Sequence, residues 1–442
     1  MKHYQQGVAT LLITSVLLSV ALVVTLGSYK SLFYQIKRAQ NEVKARQQYW
    51  IAEGGLECVF SLTQVTKSLP EASHYAECNS LGLVTYHYTK PTRNQLNVTA
   101  QYGFSRVQKT ITYPAAASGV LRATSNLYFS GGLAMLADPG LALDDNQWAC
   151  TMLRYSQDFL ANGTIQNKGL SDTHPPYLGF PSGQSCGSDY VTSTSVNYAM
   201  PTALKKDFIQ DVDQTPFEDL FGEARQDWFK IMSDSQFSKI SASNLVDSSG
   251  KMLFTQQSLP PPAVVPDCGS KIKDKIKTGQ DLIWIYGSCH LGESDLTDIG
   301  QAISSASGLD GVILMVHNGL FSTKGALTFK GMIYHFISNA SDGTPEFTPS
   351  ATLWNSLNTD QAEQLKGTVD HESLPLPNVS VGNTAYFQNG AFYPTGGYVM
   401  DAPETYAVFT SAMDFLFNRD AIDIPLSKIR QFKWQQGSWY AQ

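Results

Sequence analysis

Residues 8–26 are apolar or hydroxylated throughout and carry no charged side chain. A run of about 20 such residues at 1.5 Å each matches the roughly 30 Å hydrocarbon core of a bilayer. The segment therefore predicts a membrane-crossing helix. The hydroxyls of Thr10, Thr14, Ser15, Ser19 and Thr25 can bond back to the helix's own carbonyls. Beyond Gly27 the pattern changes but does not stop. Tyr29, Leu32, Phe33, Ile36, Ala39, Val43, Trp50 and Leu56 recur mostly at three- or four-residue steps, with Lys30, Lys37, Arg38, Glu42, Lys44 and Arg46 between them. That alternation predicts an amphipathic continuation of the same helix. No proline occurs before Pro70, and Gly54 and Gly55 weaken a helix by about 1 kcal/mol each without ending it. A single helix over 8–63 would be about 80 Å long.

The period then drops to two. Val84, Tyr86 and Tyr88 alternate with polar residues, as do Leu96, Val98, Ala100 and Tyr102; Val107, Ile111 and Tyr113 share one face, with Lys109 as an exception. Breaks at Pro91–Asn94 and Gly103 predict an antiparallel meander, ending near Pro114–Ser118. After it come short apolar runs punctuated by Gly, Asn and Pro. Around 203–240 the pattern turns helical: Thr215-Pro216-Phe217-Glu218 reads as an N-cap, a first-position proline and a capping-box glutamate. Phe217, Leu220, Phe221, Trp228, Phe229 and Met232 form its expected buried face. Residues 258–267 are too proline-rich for a central strand. Leu282–Tyr286 and Val312–Val316 are continuous apolar runs, as in strands buried on both faces. Close-spaced short strands with turns at Gly319, Gly325 and Gly331 suggest a β-solenoid-like region.

The N-terminus resembles that of type IV pilins, most closely the PilX-type minor pilins. The likeness rests on Gln5-Gln6-Gly7-Val8-Ala9, the apolar run after it, and Ala52-Glu53-Gly54-Gly55-Leu56. It covers about the first 65 residues. It implies cleavage after Gly7 by a prepilin peptidase, with Val8 as the N-methylated first residue of the mature chain. Leu12 stands at the fifth mature position, where most pilins have glutamate. A carboxylate in a membrane is expensive and is kept for a partner, so a subunit without one suits the leading position of a filament. Gly325 to Tyr334 and the closing Gly437-Ser438-Trp439 are weakly similar to the ends of large PilX-related proteins.

The fold expected is α+β: a leader (1–7), a transmembrane half-helix (8–27), a pilin body of amphipathic helix and antiparallel sheet (28–114), and a large β-rich head (119–442) with a helical insertion near 203–240. The resemblance implies a structural subunit that primes, or sits at the tip of, a type IV pilus and displays its head for adhesion. Its partners would be the major pilin, other minor pilins, prepilin peptidase, the inner membrane before assembly, and a surface or glycan. The alternative in the same class is a K-type minor pseudopilin of type II secretion, which similarly lacks the glutamate.

Composition narrows the compartment. Charged residues make up 16% and the net charge is -7, which gives no electrostatic reason to bind nucleic acid. The six cysteines, Cys58, Cys78, Cys150, Cys186, Cys268 and Cys289, contain no Cys-x-x-Cys. An even count without metal spacing favours disulfides in an oxidising compartment, and six cysteines allow fifteen pairings. Sequential pairing would contribute about 3 kcal/mol per loop in the chain-entropy model. Simple charge counting opposes a periplasmic C-terminus: Lys2 stands alone before the span, and five Lys or Arg follow between Lys30 and Arg46.

Candidate chemistry is sparse. Gly183-Gln184-Ser185-Cys186-Gly187 matches a nucleophile elbow, which needs a strand before the serine and a helix after it; a membrane-anchored hydrolase using Ser185 is the reading from another class. His290 and His317 lie at strand ends and could meet in space. Asp211, Asp213, Glu218 and Asp219 are grouped but lack the spacing of an EF-hand loop. No cofactor, metal site or enzymatic activity is expected.

Overall fold

The computed structural model describes residues 5–70, 72–79, 84–92, 94–114, 119–144, 146–370 and 379–441. The chain divides into two units, Met1–Tyr113 with Phe432–Gln442, and Pro114–Gln431. A long N-terminal helix is followed by a large sheet-rich domain with interspersed helices, an α+β organisation.

In the first unit, α1 (Gln5–Thr66) is a single helix of 62 residues, about 93 Å long at 1.5 Å per residue. Its buried seam is Ala52, Leu56, Val59 and Thr63, each 0% exposed. This corrects the expected stripe: of the residues from Tyr29 to Leu56 that recur at helical spacing, Trp50 is 66% exposed and only Leu56 is buried. Six residues at 100° each place Trp50 and Leu56 on different faces, and the sheet covers only the C-terminal turns.

That sheet consists of β1 (Thr85–Thr92), β2 (Gln95–Tyr102) and β3 (Ser105–Thr112), an antiparallel meander. Gly103 supplies the positive φ of the tight β2–β3 turn. Lys109, the exception to the alternation, lies on the face of β3 turned to α1. Its Nζ pairs with Glu53 and, at 2.7 Å, with Glu57, and sits 5.1 Å from the Trp434 ring. The head had been expected to run to residue 442. Instead Lys433–Trp434 and Tyr440–Ala441 pair antiparallel with β3, in the register Lys433↔Thr112 and Tyr440↔Gln108. Trp434 stacks on Phe60 at 4.5 Å. Two-residue strands carry no periodicity, so nothing in the pattern announced them.

In the second unit, eight strands among the described residues form an all-parallel ladder. In spatial order they are Phe208–Gln210, Leu153–Tyr155, Leu121–Ala123, Tyr398–Asp401, Gly331–Phe336, Val312–His317, Leu282–Tyr286 and Ser238–Ser241. The strands that follow them in sequence, including Phe321–Lys324, Thr384–Asn389, Tyr406–Phe409, Asn126–Ser130 and Phe159–Asn167, make a second ladder, also parallel along its path. The chain thus enters mid-stack at Leu121 and closes it by pairing Tyr398 beside Leu121. Leu282–Tyr286 and Val312–His317 are buried along their whole length, as strands covered on both faces must be. Aromatic rings fill the space between; Phe129, for example, stacks on Phe409 at 4.6 Å.

The insertion near 203–240 is not one helix. Thr215 precedes Pro216–Phe221 and Pro216 takes the first position, but the Thr215 side chain makes no capping hydrogen bond. The helix ends at Gly222 in the left-handed region, and a second short helix follows, Trp228–Met232. The head also contains Cys268–Lys277, Glu293–Ser305, Ala351–Leu357, Thr359–Val369 and Asp420–Ser427, helices that had not been expected.

The disulfides are Cys58–Cys78, Cys150–Cys186 and Cys268–Cys289. The first joins α1 to the short helix Ala72–Cys78. Gly331 has φ +154°, and a Cβ there would overlap the Val312 carbonyl. Gly331→Ala should therefore destabilise the head by about 2 kcal/mol, read as a lower urea midpoint with unchanged slope.

Candidate functional site

Among the described residues, the N-terminal part of α1 presents a long uncovered apolar surface. Val8, Leu11, Leu12, Val16, Leu17, Leu18, Val23 and Phe33 are each at least 53% exposed. This stretch is long and apolar enough to cross a membrane. Its polar atoms are already satisfied: Thr14 Oγ1 donates to the Thr10 carbonyl (2.9 Å), Ser19 Oγ to Ser15 (2.7 Å) and Thr25 Oγ1 to Ala21 (2.9 Å). Burying one Leu or Val side chain is worth about 1.5–3 kcal/mol. The rod therefore has a strong drive towards lipid or other helices. Gly7 and Val8 lie in its first turns, and Leu12, four residues after Val8, shares the Val8 face. Between Lys30 and Arg46 the surface is basic; the Arg46–Glu42 pair (2.8 Å) is exposed and contributes little.

Ser185 does not sit on an elbow. It belongs to the two-residue strand Ser185–Cys186, followed by the single 3-10 turn Ser188–Tyr190. Its Oγ is 3.4 Å from the Asn146 carbonyl, to which it donates, and the adjacent cysteine is tied to Cys150. Neither a histidine nor a carboxylate is hydrogen-bonded to Ser185 among the described residues.

The two histidines belong to separate networks. His290 Nδ1 lies 3.2 Å from Ser322 Oγ. His317 is fully buried, and the Trp284 indole N–H donates to its Nδ1 at 3.4 Å. That contact assigns the ring proton to Nε2, which donates to Ser338 Oγ at 2.9 Å; Ser338 in turn donates to Glu346. Burial, with the Arg225 charge and His335 behind it, holds the His317 pKa well below its usual range. A neutral imidazole that donates to a serine cannot accept that serine's proton. The chain from Trp284 to Glu346 therefore fastens the loop 339–346 to the ladder and activates no nucleophile. This network carried no local motif, since Trp284 and His317 come from two strands, Ser338 follows a third, and Glu346 sits in the loop beyond it.

The grouped carboxylates do not converge. Asp211 pairs with Arg154 at 2.8 Å and Asp219 with the buried Arg122, and the described residues contain no cluster of His, Cys, Asp or Glu arranged to hold a metal. No family model matches the chain, nor does any curated protein or solved structure.

Proposed function

We propose that the chain is a minor pilin that primes, or occupies the tip of, a type IV pilus and displays its head for adhesion. One observation carries this reading: α1 is a single helix whose apolar half has no cover, while its C-terminal turns pack on an antiparallel sheet. A plain membrane anchor has no need to continue unbroken into a folded body. An assembling subunit does, because the same rod must leave lipid and pack among its neighbours' helices. Leu12 offers those neighbours hydrophobic contact but no carboxylate, which favours a leading position. The parallel ladders support a β-solenoid-like head.

The helical insertion Pro216–Met232 favours the second reading, a K-type pseudopilin of type II secretion. Asp211 and Asp219 are held by arginines rather than converging with Asp213 and Glu218, and the parallel ladders favour the pilus.

Mass spectrometry of the mature N-terminus tests the reading. In cells with active prepilin peptidase the mature chain should begin at N-methylated Val8, and Gly7→Arg should leave the leader in place. A wild-type chain still beginning at Met1 would overturn both pilin readings. For the adhesive role, replacing 115–431 by a short Gly/Ser linker should preserve membrane insertion and abolish attachment. That replacement keeps Lys433–Trp434 beside β3, which a deletion through residue 442 would lose.

A further inference from the structure

The corner where the two ladders meet carries a cavity of about 340 Å3, within the range of small-ligand sites, about 300–1,000 Å3. Three neighbouring rungs supply one wall. Ser156 follows the strand Leu153–Tyr155, Thr124 follows Leu121–Ala123, and Asp401 ends Tyr398–Asp401. These strands are adjacent in the ladder, so their polar groups recur at about the inter-strand spacing of 4.7–4.9 Å. The helical insertion supplies the opposite wall, through Gln214, Phe217 and Arg225, and Gln157 and Gln226 stand exposed at the rim.

The charges define what can enter. Arg225 is already committed: Nε faces the Asp401 carboxylate at 3.3 Å, Nη1 donates to Asn339 at 2.7 Å, and Nη2 donates to the Ile337 carbonyl. Its guanidinium lies over the Phe336 ring at 4.9 Å. Glu218 lines the cavity together with Asp401, leaving the wall with one net negative charge, which disfavours an anion. What remains is a set of amides and hydroxyls beside the apolar side chains of Val212 and Pro403. Gln214 Nε2 donates to the Ala123 carbonyl at 2.6 Å, and its Oε1 is buried with no partner in the structure. Such an acceptor costs free energy until a donor reaches it.

We propose that this cavity binds a neutral saccharide, whose hydroxyls both donate and accept and whose apolar ring faces suit the exposed Val212 and the partly exposed Pro403 in its lining. The inference rests on the reading of the head as the adhesive part of the chain and names the chemistry of what it would hold.

The test is to probe the full chain, in detergent micelles, on an array of neutral, sialylated and sulfated glycans. Binding to neutral glycans is expected, weakened about tenfold by Gln214→Leu and abolished by Gln157→Trp, an exposed rim substitution that plugs the cavity without entering the core. Binding to no neutral glycan, binding confined to acidic glycans, or neutral binding untouched by both variants would overturn the proposal. If purified chain binds neutral glycans while cells carrying Gln157→Trp attach normally, the cavity stands and the adhesive function falls.

Discussion

Replacing Asp401 by leucine is expected to cost the head about 3–5 kcal/mol of folding free energy. Asp401 is 0% exposed and accepts from Tyr334 Oη at 2.9 Å, from Thr124 Oγ1 at 3.0 Å and from Arg225 Nε at 3.3 Å. Tyr334 is fully buried; burial first, and the Asp401 charge second, push its phenol well above the usual range. Leucine would leave the partly buried Arg225 charge without its carboxylate, although Asn339 and the Ile337 carbonyl still accept from it, and the fully buried Tyr334 phenol without its acceptor; stranding such groups costs more than the original pair contributed. Asp401→Asn keeps an acceptor oxygen and should lose less. The measurement is urea unfolding of the full chain in micelles, followed by near-ultraviolet circular dichroism. An unchanged midpoint for Asp401→Leu would mean that the network does not support the fold.

The head should also lose stability in mild acid. His335 lies buried on the strand Gly331–Phe336, with Nε2 2.8 Å from the Gly319 carbonyl. Burial lowers its pKa to about 4, against opposing contributions from that hydrogen bond and from Asp401. As the pH falls below about 6.5, the unfolded chain takes up a proton on this residue that the folded chain refuses until about pH 4. Folding stability is therefore complete above pH 6.5 and declines through that window. The slope is about 1.4 kcal/mol per pH unit, or about 3 kcal/mol in all. His317, lowered for the same reason, acts in the same direction. Urea midpoints at pH 7, 5 and 4 should fall in that order, and His335→Gln should flatten the decline. Equal slopes for wild type and variant would rule out His335 as the source.

Much of this architecture was legible because it is periodic. The run from Val8 and the alternation over 96–102 specify a helix and a strand through the spacing of their side chains alone. The all-apolar runs at Leu282 and Val312 mark strands with both faces covered. Glu293–Ser305 could have been read too, since its buried residues Leu296, Ile299, Ala302 and Ile303 keep helical spacing. What could not be read is the order of the stack. Nothing local to Leu121 says that its neighbours will be Leu153 and Tyr398. Any parallel strand with a suitable face could stand there, and the choice is made by the packing of the whole core. The same holds for the corner cavity. Thr124, Ser156 and Asp401 are ordinary polar residues after short strands until the ladder brings them side by side. At the N-terminus, by contrast, Gly7, Val8 and Leu12 fall within six consecutive residues, so a motif reading could name them without the fold.

The return of the last strand to β3 has a mechanical consequence. Thr112 and Lys433 are paired neighbours, so the whole of Pro114–Gln431 is spliced into the first unit through two adjacent strands. Tension applied to the head would be divided between two covalent leads. One lead runs through β3 into the meander; the other ends in the short strands held by Trp434 against Phe60. The weaker lead is the terminal one, so strain should first peel Lys433–Trp434 from β3 while the meander holds. Under load the chain would then yield by releasing the short strands Lys433–Trp434 and Tyr440–Ala441 before the meander unfolds.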